Sequence, residues 1–167
     1  KYGDLQIAAF SDEMRDGIRG HVFENGVPGF VNGYKGVEEM IKFGIVASVK
    51  HDQIKYGINP SPYEGYSVTF WANKPYQTIN YASAHDNLTL WDKLQTTNKH
   101  QKEDDLKAMN KMSAAIVLTS QGIPFFQGGE EILRTKQYSD GNFEENSYNK
   151  PDSINAIDWK RKETYSD

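Results

Sequence analysis

Short apolar runs alternate along this chain with longer stretches of helical periodicity. Three of these runs have the length of buried strands, and each is followed closely by polar residues or glycines. They are residues 6–10 (QIAAF), 79–83 (INYAS) and 123–127 (IPFFQ). Residues 66–71 (YSVTFW) have the β-branched and aromatic content of a further strand or extended segment.

Two stretches repeat their apolar residues at the spacing of an amphipathic helix. The apolar face of the first consists of Val37, Met40, Ile41, Ile45 and Val49. The second covers residues 103–121, begins with acids that suit the helix dipole, and ends at Gly122. A shorter helix is predicted over residues 88–94, with Asp86 or Asn87 as its N-cap.

The segments between these elements are predicted to be long loops. Residues 17–36 contain six glycines and Pro28, so at most a short helical turn is expected there. Residues 55–65 contain two prolines and two glycines. The polar tail from residue 134 to residue 167 is predicted as a surface loop with a short element near residues 157–159.

The order strand, helix, strand, helix, strand favours an α/β fold with parallel βαβ units and functional loops after the strand ends. Three strands do not close a barrel, and an eight-stranded barrel takes about 250 residues. The 167 residues are therefore interpreted as one unit, a partial (β/α)8 TIM barrel with about three strand–helix units. The start at Lys1 resembles neither an initiator methionine nor a signal peptide, so we expect the chain to begin within a longer protein.

Composition narrows the function classes. The net charge is -4 and no basic cluster stands out, which disfavours a nucleic-acid partner. No apolar run approaches the length of a membrane span, and the absence of cysteine excludes disulfides and thiolate zinc sites. The four histidines lack metal-ligand spacing, so no metal site is predicted, although calcium in a longer protein is left open. The sequence does not indicate a compartment.

Three sets of ionisable residues allow both functional and structural interpretations. Asp86 and His85 follow the second predicted strand, where an α/β enzyme presents catalytic groups, but Asp86 could equally cap the next helix. Glu130 and Glu131 could pair with Asp86 as a second catalytic carboxylate. We favour a structural role, in which they anchor the preceding glycine turn or form a salt bridge with a basic side chain such as Arg134. Arg15 and Arg19 could reach a substrate but are expected to pair with Asp12, Glu13 and Asp16.

Four ordered motifs carry a resemblance to a known family. Residues 81–87 (YASAHDN), 122–131 (GIPFFQGGEE) and 146–159 (NSYNKPDSINAIDW) resemble the α-amylase family of glycoside hydrolases. The last of these, together with residues 11–20 (SDEMRDGIRG), looks most like its type I pullulanase branch. The resemblance spans nearly the whole chain.

This resemblance implies a (β/α)8 barrel in which the three predicted strands are the sixth, seventh and eighth. It makes Asp86 the third catalytic carboxylate, which supports a positively charged transition state, and lets His85 and Asn87 bind the same sugar. Asn146, Tyr148 and Asp152 would border the substrate cleft, with Tyr148 as a stacking platform. The family's nucleophile and acid/base residue would lie upstream of Lys1.

The predicted function is thus part of a retaining glycoside hydrolase that cleaves α-1,6-glucosidic bonds in pullulan, starch or glycogen. The chain alone is expected to be inactive and to self-associate or bind the rest of the barrel, because open strand edges invite pairing. An isoamylase-like or glycogen-debranching relative is the nearest alternative. A non-catalytic carbohydrate-binding domain is another, but such domains are usually β-sandwiches, and the helix at residues 103–121 argues against one.

Overall fold

Three short parallel strands form the centre of the fold. The structure is a computed structural model that describes residues 3–59 and 67–165. Its sheet has the order β1 (Ala9–Phe10), β2 (Thr78–Asn80) and β3 (Ile123–Pro124), with Phe10 beside Ile79 and Ile79 beside Ile123. The predicted parallel α/β arrangement is confirmed, although every strand is shorter than predicted. A β-sandwich is excluded for the described part of the chain.

Two helices follow β1 and two follow β2, as expected for βαβ connections. They are α1 (Asp12–Arg19), α2 (Glu38–Ile45), α3 (Leu90–Thr97) and α4 (Glu103–Thr119). The tail adds the short helices α5 (Asp152–Asn155) and α6 (Arg161–Thr164), and 3-10 turns occur at Pro75–Gln77 and Glu130–Ile132. The predicted terminal element near residues 157–159 lies between α5 and α6 and is not helical. No helix in the described ranges is long and apolar enough to cross a membrane.

Helix α1 corrects the prediction of a loop beginning at residue 17. The Ser11 hydroxyl caps this helix by accepting a hydrogen bond from the backbone N–H of Met14 at 3.3 Å. Gly17 stays within the helix because α1 and α2 pack closely there, so that a Cβ atom would lie 3.0 Å from the Cβ of Met40. Gly44 of α2 provides the matching space for the buried side chain of Met14. The glycines thus serve helix packing as well as the loop.

Two further predictions need correction. The helix predicted through Val49 ends at Ile45, because Ala47 and Ser48 adopt positive φ angles of 55° and 56°. Residues 67–71 form no strand, and only Ala72 makes an isolated bridge, to Val49. Tyr66 and residues 60–65 lie outside the described residues.

The core consists of two clusters of buried apolar side chains. One joins α1, α3 and α4 and contains Met14, Ile18, Val31, Ile41, Ala82, Leu90, Trp91, Leu94, Leu106, Val117 and Leu133. The other surrounds α2 and contains Val37, Met40, Phe43, Ile54 and Val68. These clusters pack the four longer helices against one another.

The two faces of the sheet differ in their surroundings. On the helix side, Thr78 donates a hydrogen bond to the Ala47 carbonyl at 2.7 Å, and Asn80 donates to the Gln121 carbonyl at 2.6 Å. On the other face, Phe10 and Ile123 are 46% and 42% exposed. An aromatic cluster of Phe10, Tyr81 and Phe125, in edge-to-face contact, continues this face toward the carboxyl ends of the strands.

Candidate functional site

The turn between β2 and α3 presents His85 and Asp86 to solvent. Their side chains are 87% and 78% exposed, and His85 Nε2 lies 3.3 Å from Asp86 Oδ1. The predicted N-cap is wrong, because Thr89 caps α3 by accepting a hydrogen bond from the backbone N–H of Asp92 at 3.1 Å. Asn87 instead adopts a left-handed conformation with φ 61°, which reverses the chain just before the helix. The Asp86 carboxylate therefore contacts His85 and projects into solvent instead of capping the helix.

Lys136 supports this turn from the loop that follows β3. Its side chain is buried, and the ammonium group donates hydrogen bonds to the His85 carbonyl at 2.7 Å and the Asn87 carbonyl at 3.4 Å. Its backbone N–H donates to Asp92 Oδ2 at 2.8 Å, and the hydroxyl of Thr135 donates to the other oxygen of Asp92. Two successive strand-end loops are thus joined directly behind the Asp86 turn.

A second buried cation acts on the other end of the turn. Arg19, from α1, is fully buried and donates a hydrogen bond to the Leu88 carbonyl at 2.6 Å. Burial lowers the pKa of Arg19 to about 10, and the nearby positive charge of Arg15 acts in the same direction, whereas Asp16 and Glu130 oppose both effects. Arg19 therefore has a structural role.

Arg15 forms the ion pairs that its spacing predicts. It contacts Asp12 at 2.8 Å and the buried carboxylate of Asp16 at 2.5 Å. It also donates a hydrogen bond to the Tyr81 hydroxyl at 2.7 Å, and that hydroxyl donates to Asp12 at 2.8 Å. Burial raises the pKa of Tyr81, so the phenol stays protonated at neutral pH. This cluster links the end of β1 to the end of β2, and Tyr81 was not among the residues singled out from the sequence.

Glu130 is a buried structural group. Its carboxylate accepts a hydrogen bond from the Ser83 hydroxyl, which also contacts Gln127 at 3.3 Å. Burial raises the pKa of Glu130 to about 7. A carboxylate enclosed in this way differs from the exposed Asp86, so the geometry supports the structural interpretation of Glu130, whereas Glu131 is exposed. The suggested partner Arg134 donates instead to the Gly128 carbonyl at 3.1 Å.

Asn146 is connected to the Asp86 turn through Glu144. The backbone N–H of Glu144 donates to the Lys136 carbonyl at 2.9 Å, and a carboxylate oxygen of Glu144 accepts from the Asn146 backbone N–H at 2.8 Å. Lys150 forms an ion pair with the same carboxylate at 3.1 Å. Hydrogen bonds from Tyr138, Asn146 and Lys150 lower the pKa of Glu144 to about 2. Of the three tail residues predicted to bind substrate, Asn146 thus has the clearest structural connection to the turn.

Tyr148 and Asp152 lie farther along the same tail. Tyr148 is 81% exposed, which suits a stacking platform, and Asp152 is the exposed first residue of α5. In the described part of the chain, no hydrogen bond joins either residue to the turn at residues 85–87. Their predicted contact with substrate stays a prediction.

The loop after α1 reaches the same tail. Lys93, buried on α3, donates hydrogen bonds to the carbonyls of His21, Glu24 and Asn25 at 2.9, 2.7 and 3.1 Å. The amide of Asn25 in turn donates to the carboxylate of Glu145. The loop that follows α1 is therefore tied to α3 and to the tail. Within residues 3–59 and 67–165, no group of three or more His, Asp or Glu side chains has a geometry that could hold a metal ion.

Comparison with known proteins identifies relatives along nearly the whole chain. No family model matches the sequence. Pullulanase from Bacillus subtilis strain 168 is 34% identical over 161 residues, which is 96% of this chain and 20% of that protein. The chain therefore spans about one fifth of the length of this relative.

Solved structures share the fold as well. The structure of pullulanase type I from Bacillus subtilis strain 168 complexed with maltose aligns with a TM-score of 0.80 and 32% identity, covering 96% of this chain and 20% of that one. Pullulanase from Paenibacillus barengoltzii, in complex with maltohexaose and α-cyclodextrin, aligns with a TM-score of 0.78 and 38% identity, covering 96% and 22%. Sequence and fold together relate this chain to a segment of type I pullulanases.

Proposed function

We propose that this chain is the carboxyl-terminal part of the catalytic barrel of a pullulanase-like debranching enzyme, in which Asp86 stabilises the transition state. The observation that carries the proposal is the exposed pair of Asp86 and His85 at the carboxyl end of the central strand. Catalytic groups of α/β barrels occupy this position. The relationship to pullulanases over 96% of the chain supports the same assignment.

The proposed reaction is retaining hydrolysis of α-1,6-glucosidic bonds. It requires a nucleophile and a proton donor about 5 to 5.5 Å apart, with an oxocarbenium-like transition state between them. Asp86 adds a negative charge that favours this cation, and His85 donates a hydrogen bond to the same sugar ring. Glu130 is enclosed by Ser83 and Gln127, so the nucleophile and the acid/base group are assigned to a preceding part of the enzyme. Two carboxylates and water complete this chemistry, and no cofactor is assigned.

The proposed substrate is an α-glucan. We assign substrate contacts to Asn87, Asn146, Tyr148 and Asp152, whose side chains can form hydrogen bonds with sugar hydroxyl groups. Pullulanases with related folds have been solved with maltose and with maltohexaose. These ligands support an α-glucan as the substrate class for this chain.

The proposed barrel accounts for the uncovered side of the sheet. Within the described residues, β1 and β3 are edge strands, and Phe10 and Ile123 leave an apolar face partly exposed. A closed barrel pairs both edges and fills its interior with side chains. We therefore propose that five further strands of the same enzyme cover this face.

Substitution of Asp86 in the full-length enzyme tests the proposal. Asp86→Asn keeps the size of the side chain but removes its charge, and kcat on pullulan is expected to fall about 100- to 1,000-fold. Circular dichroism should remain unchanged, because the side chain makes no core contact. Asp104→Asn, on the exposed first turn of α4, is the matched control and should leave kcat unchanged. Wild-type turnover by Asp86→Asn would refute the assignment.

The products separate the proposed specificity from its alternative. A pullulanase-like enzyme cleaves the α-1,6 links of pullulan, and chromatography should detect maltotriose as the main product. Activity on glycogen branch points with no release of maltotriose from pullulan would instead favour an isoamylase-like or glycogen-debranching enzyme. The names of the relatives favour the first outcome.

A further inference from the structure

We infer that Lys136 is a positioning residue of the catalytic site, which holds the backbone of residues 85–87 so that Asp86 projects toward the substrate. The inference rests on the proposed function of Asp86. It assigns a role to a side chain that does not itself face the substrate, since Lys136 is only 1% exposed.

The ammonium group of Lys136 contacts the turn on both sides of Asp86. It lies 2.7 Å from the carbonyl oxygen of His85 and 3.4 Å from that of Asn87. A cation that donates to two carbonyls fixes the direction of the peptide groups between them. Charge-assisted hydrogen bonds of this kind are roughly twice as strong as neutral ones.

The main chain of Lys136 is itself anchored to α3. Its N–H donates to Asp92 Oδ2 at 2.8 Å, and the neighbouring Thr135 hydroxyl binds the other carboxylate oxygen. Asp92 is fully buried in the first turn of α3, which begins three residues after Asn87. Lys136 therefore connects the turn to a rigid element in the core.

The turn needs such support because its own side chains supply little. His85 and Asp86 are largely exposed, and Asn87 holds a left-handed conformation that is unfavourable for a non-glycine residue. Burial lowers the pKa of Lys136, whereas the carboxylates of Asp92, Asp86 and Glu144 act in the opposite direction and favour its charged form. The acidic groups around the ammonium thus include the catalytic carboxylate that it positions.

Lys93 offers a matched control within the same chain. It is equally buried and also donates to backbone carbonyls, but these belong to His21, Glu24 and Asn25. Replacement of either lysine by methionine removes a buried ammonium group at similar volume. Both variants therefore leave buried backbone carbonyls without a donor, and both should lose stability for this reason. They differ in which loop loses its hydrogen bonds.

The experiment compares Lys136→Met and Lys93→Met in the full-length enzyme, well below their unfolding temperatures. For Lys136→Met, kcat on pullulan should fall about 10- to 100-fold while KM changes little, because misplacement of a catalytic group affects the transition state most. Hydrogen exchange should accelerate at the amides of residues 85–89. For Lys93→Met, exchange should accelerate at residues 21–27 and kcat should stay near the wild-type value.

The outcomes separate this inference from the proposed function. Unchanged kcat in Lys136→Met, or an equal loss in both lysine variants, would overturn the positioning role even if Asp86→Asn is inactive. Wild-type activity of Asp86→Asn would instead overturn the proposed function, and hydrogen exchange would still decide whether Lys136 holds the turn. Should Lys136→Met not fold, Lys136→Gln replaces it, because glutamine is polar and keeps a donor. The same results are expected, since glutamine is shorter than lysine and lacks the charge that strengthens both hydrogen bonds.

Discussion

The hydroxyl group of Ser83 donates a hydrogen bond to the buried carboxylate of Glu130, and this contact joins the end of β2 to the turn after β3. The other carboxylate oxygen of Glu130 is buried without a hydrogen-bond partner among the described residues. Burial raises the pKa of Glu130 to about 7, and the positive charge of Arg19 only partly counteracts this effect. The folded protein therefore binds a proton at Glu130 more tightly than the unfolded chain does.

Stability is consequently expected to depend on pH through Glu130. Between about pH 4.5 and pH 7 the folded state carries more protons than the unfolded state, so the free energy of unfolding falls as pH rises. The free energy of unfolding falls by about 3 kcal/mol in total, and the decrease is complete above pH 7. Glu130→Gln resembles the protonated group and should flatten the decline of the thermal unfolding midpoint between pH 4.5 and 7. Parallel curves for the two proteins would contradict the assignment.

Two glycine-to-alanine substitutions in the loop after α1 should differ sharply in how much they lower the free energy of unfolding. A Cβ atom at Gly29 would lie 2.4 Å from the backbone nitrogen of Gly20 and 2.5 Å from the carbonyl oxygen of Ile18. Because both obstacles are backbone atoms, Gly29→Ala should lower the free energy of unfolding by about 1–3 kcal/mol or more. Gly26→Ala, in the same loop, meets nothing within 4 Å and serves as the control. Equal denaturation midpoints for the two variants would show that this loop packs differently.

Two substitutions separate the conformational role of Asn87 from its proposed contact with substrate. Glycine accepts φ 61° without strain, so Asn87→Gly should keep the unfolding midpoint and kcat while raising KM for pullulan. Asn87→Ala should raise KM and also lose about 1 kcal/mol of stability. An unchanged KM in Asn87→Gly would exclude a substrate contact by the Asn87 side chain.

The chain produced by itself should associate with itself. Leu5, Ile7, Phe10, Ile123 and Phe125 are large apolar residues at or near the sheet that are at least one third exposed. Light scattering after size-exclusion chromatography should therefore detect oligomers whose fraction rises with concentration. Replacing Ile7 and Ile123 by Asp should reduce this fraction. A strictly monomeric, well-folded wild-type chain would contradict the prediction.

Sequence periodicity was sufficient for the main elements of the fold. The three strands and their order followed from short apolar runs, and the long helix α4 followed from its spacing and its acidic first turn. Helix α1 was missed because Gly17 and Gly20 suggest a loop, whereas packing against Met40 favours glycine within the helix. Close packing between two helices is a tertiary effect that local propensity does not contain.

The candidate site was only partly predictable. The motif at residues 81–87 located Asp86 correctly after the central strand. The choice of Asp86 or Asn87 as the helix cap was wrong, because Asn87 adopts a left-handed conformation and the helix begins only at Leu90. The buried cations Arg19, Lys93 and Lys136 were not anticipated, since charged side chains are rarely fully buried. Their carbonyl partners lie at least 49 residues away in the sequence. Only the folded chain brings them together.

The most direct test of the account is a crystal structure of the full-length enzyme with a branched maltooligosaccharide bound. We expect a carboxylate oxygen of Asp86 to lie within hydrogen-bond distance of the sugar at the scissile α-1,6 link, with His85 on the same ring. We also expect the Lys136 ammonium group to stay on the carbonyl of His85. A sugar bound elsewhere, with Asp86 facing solvent away from the cleft, would contradict the central claim.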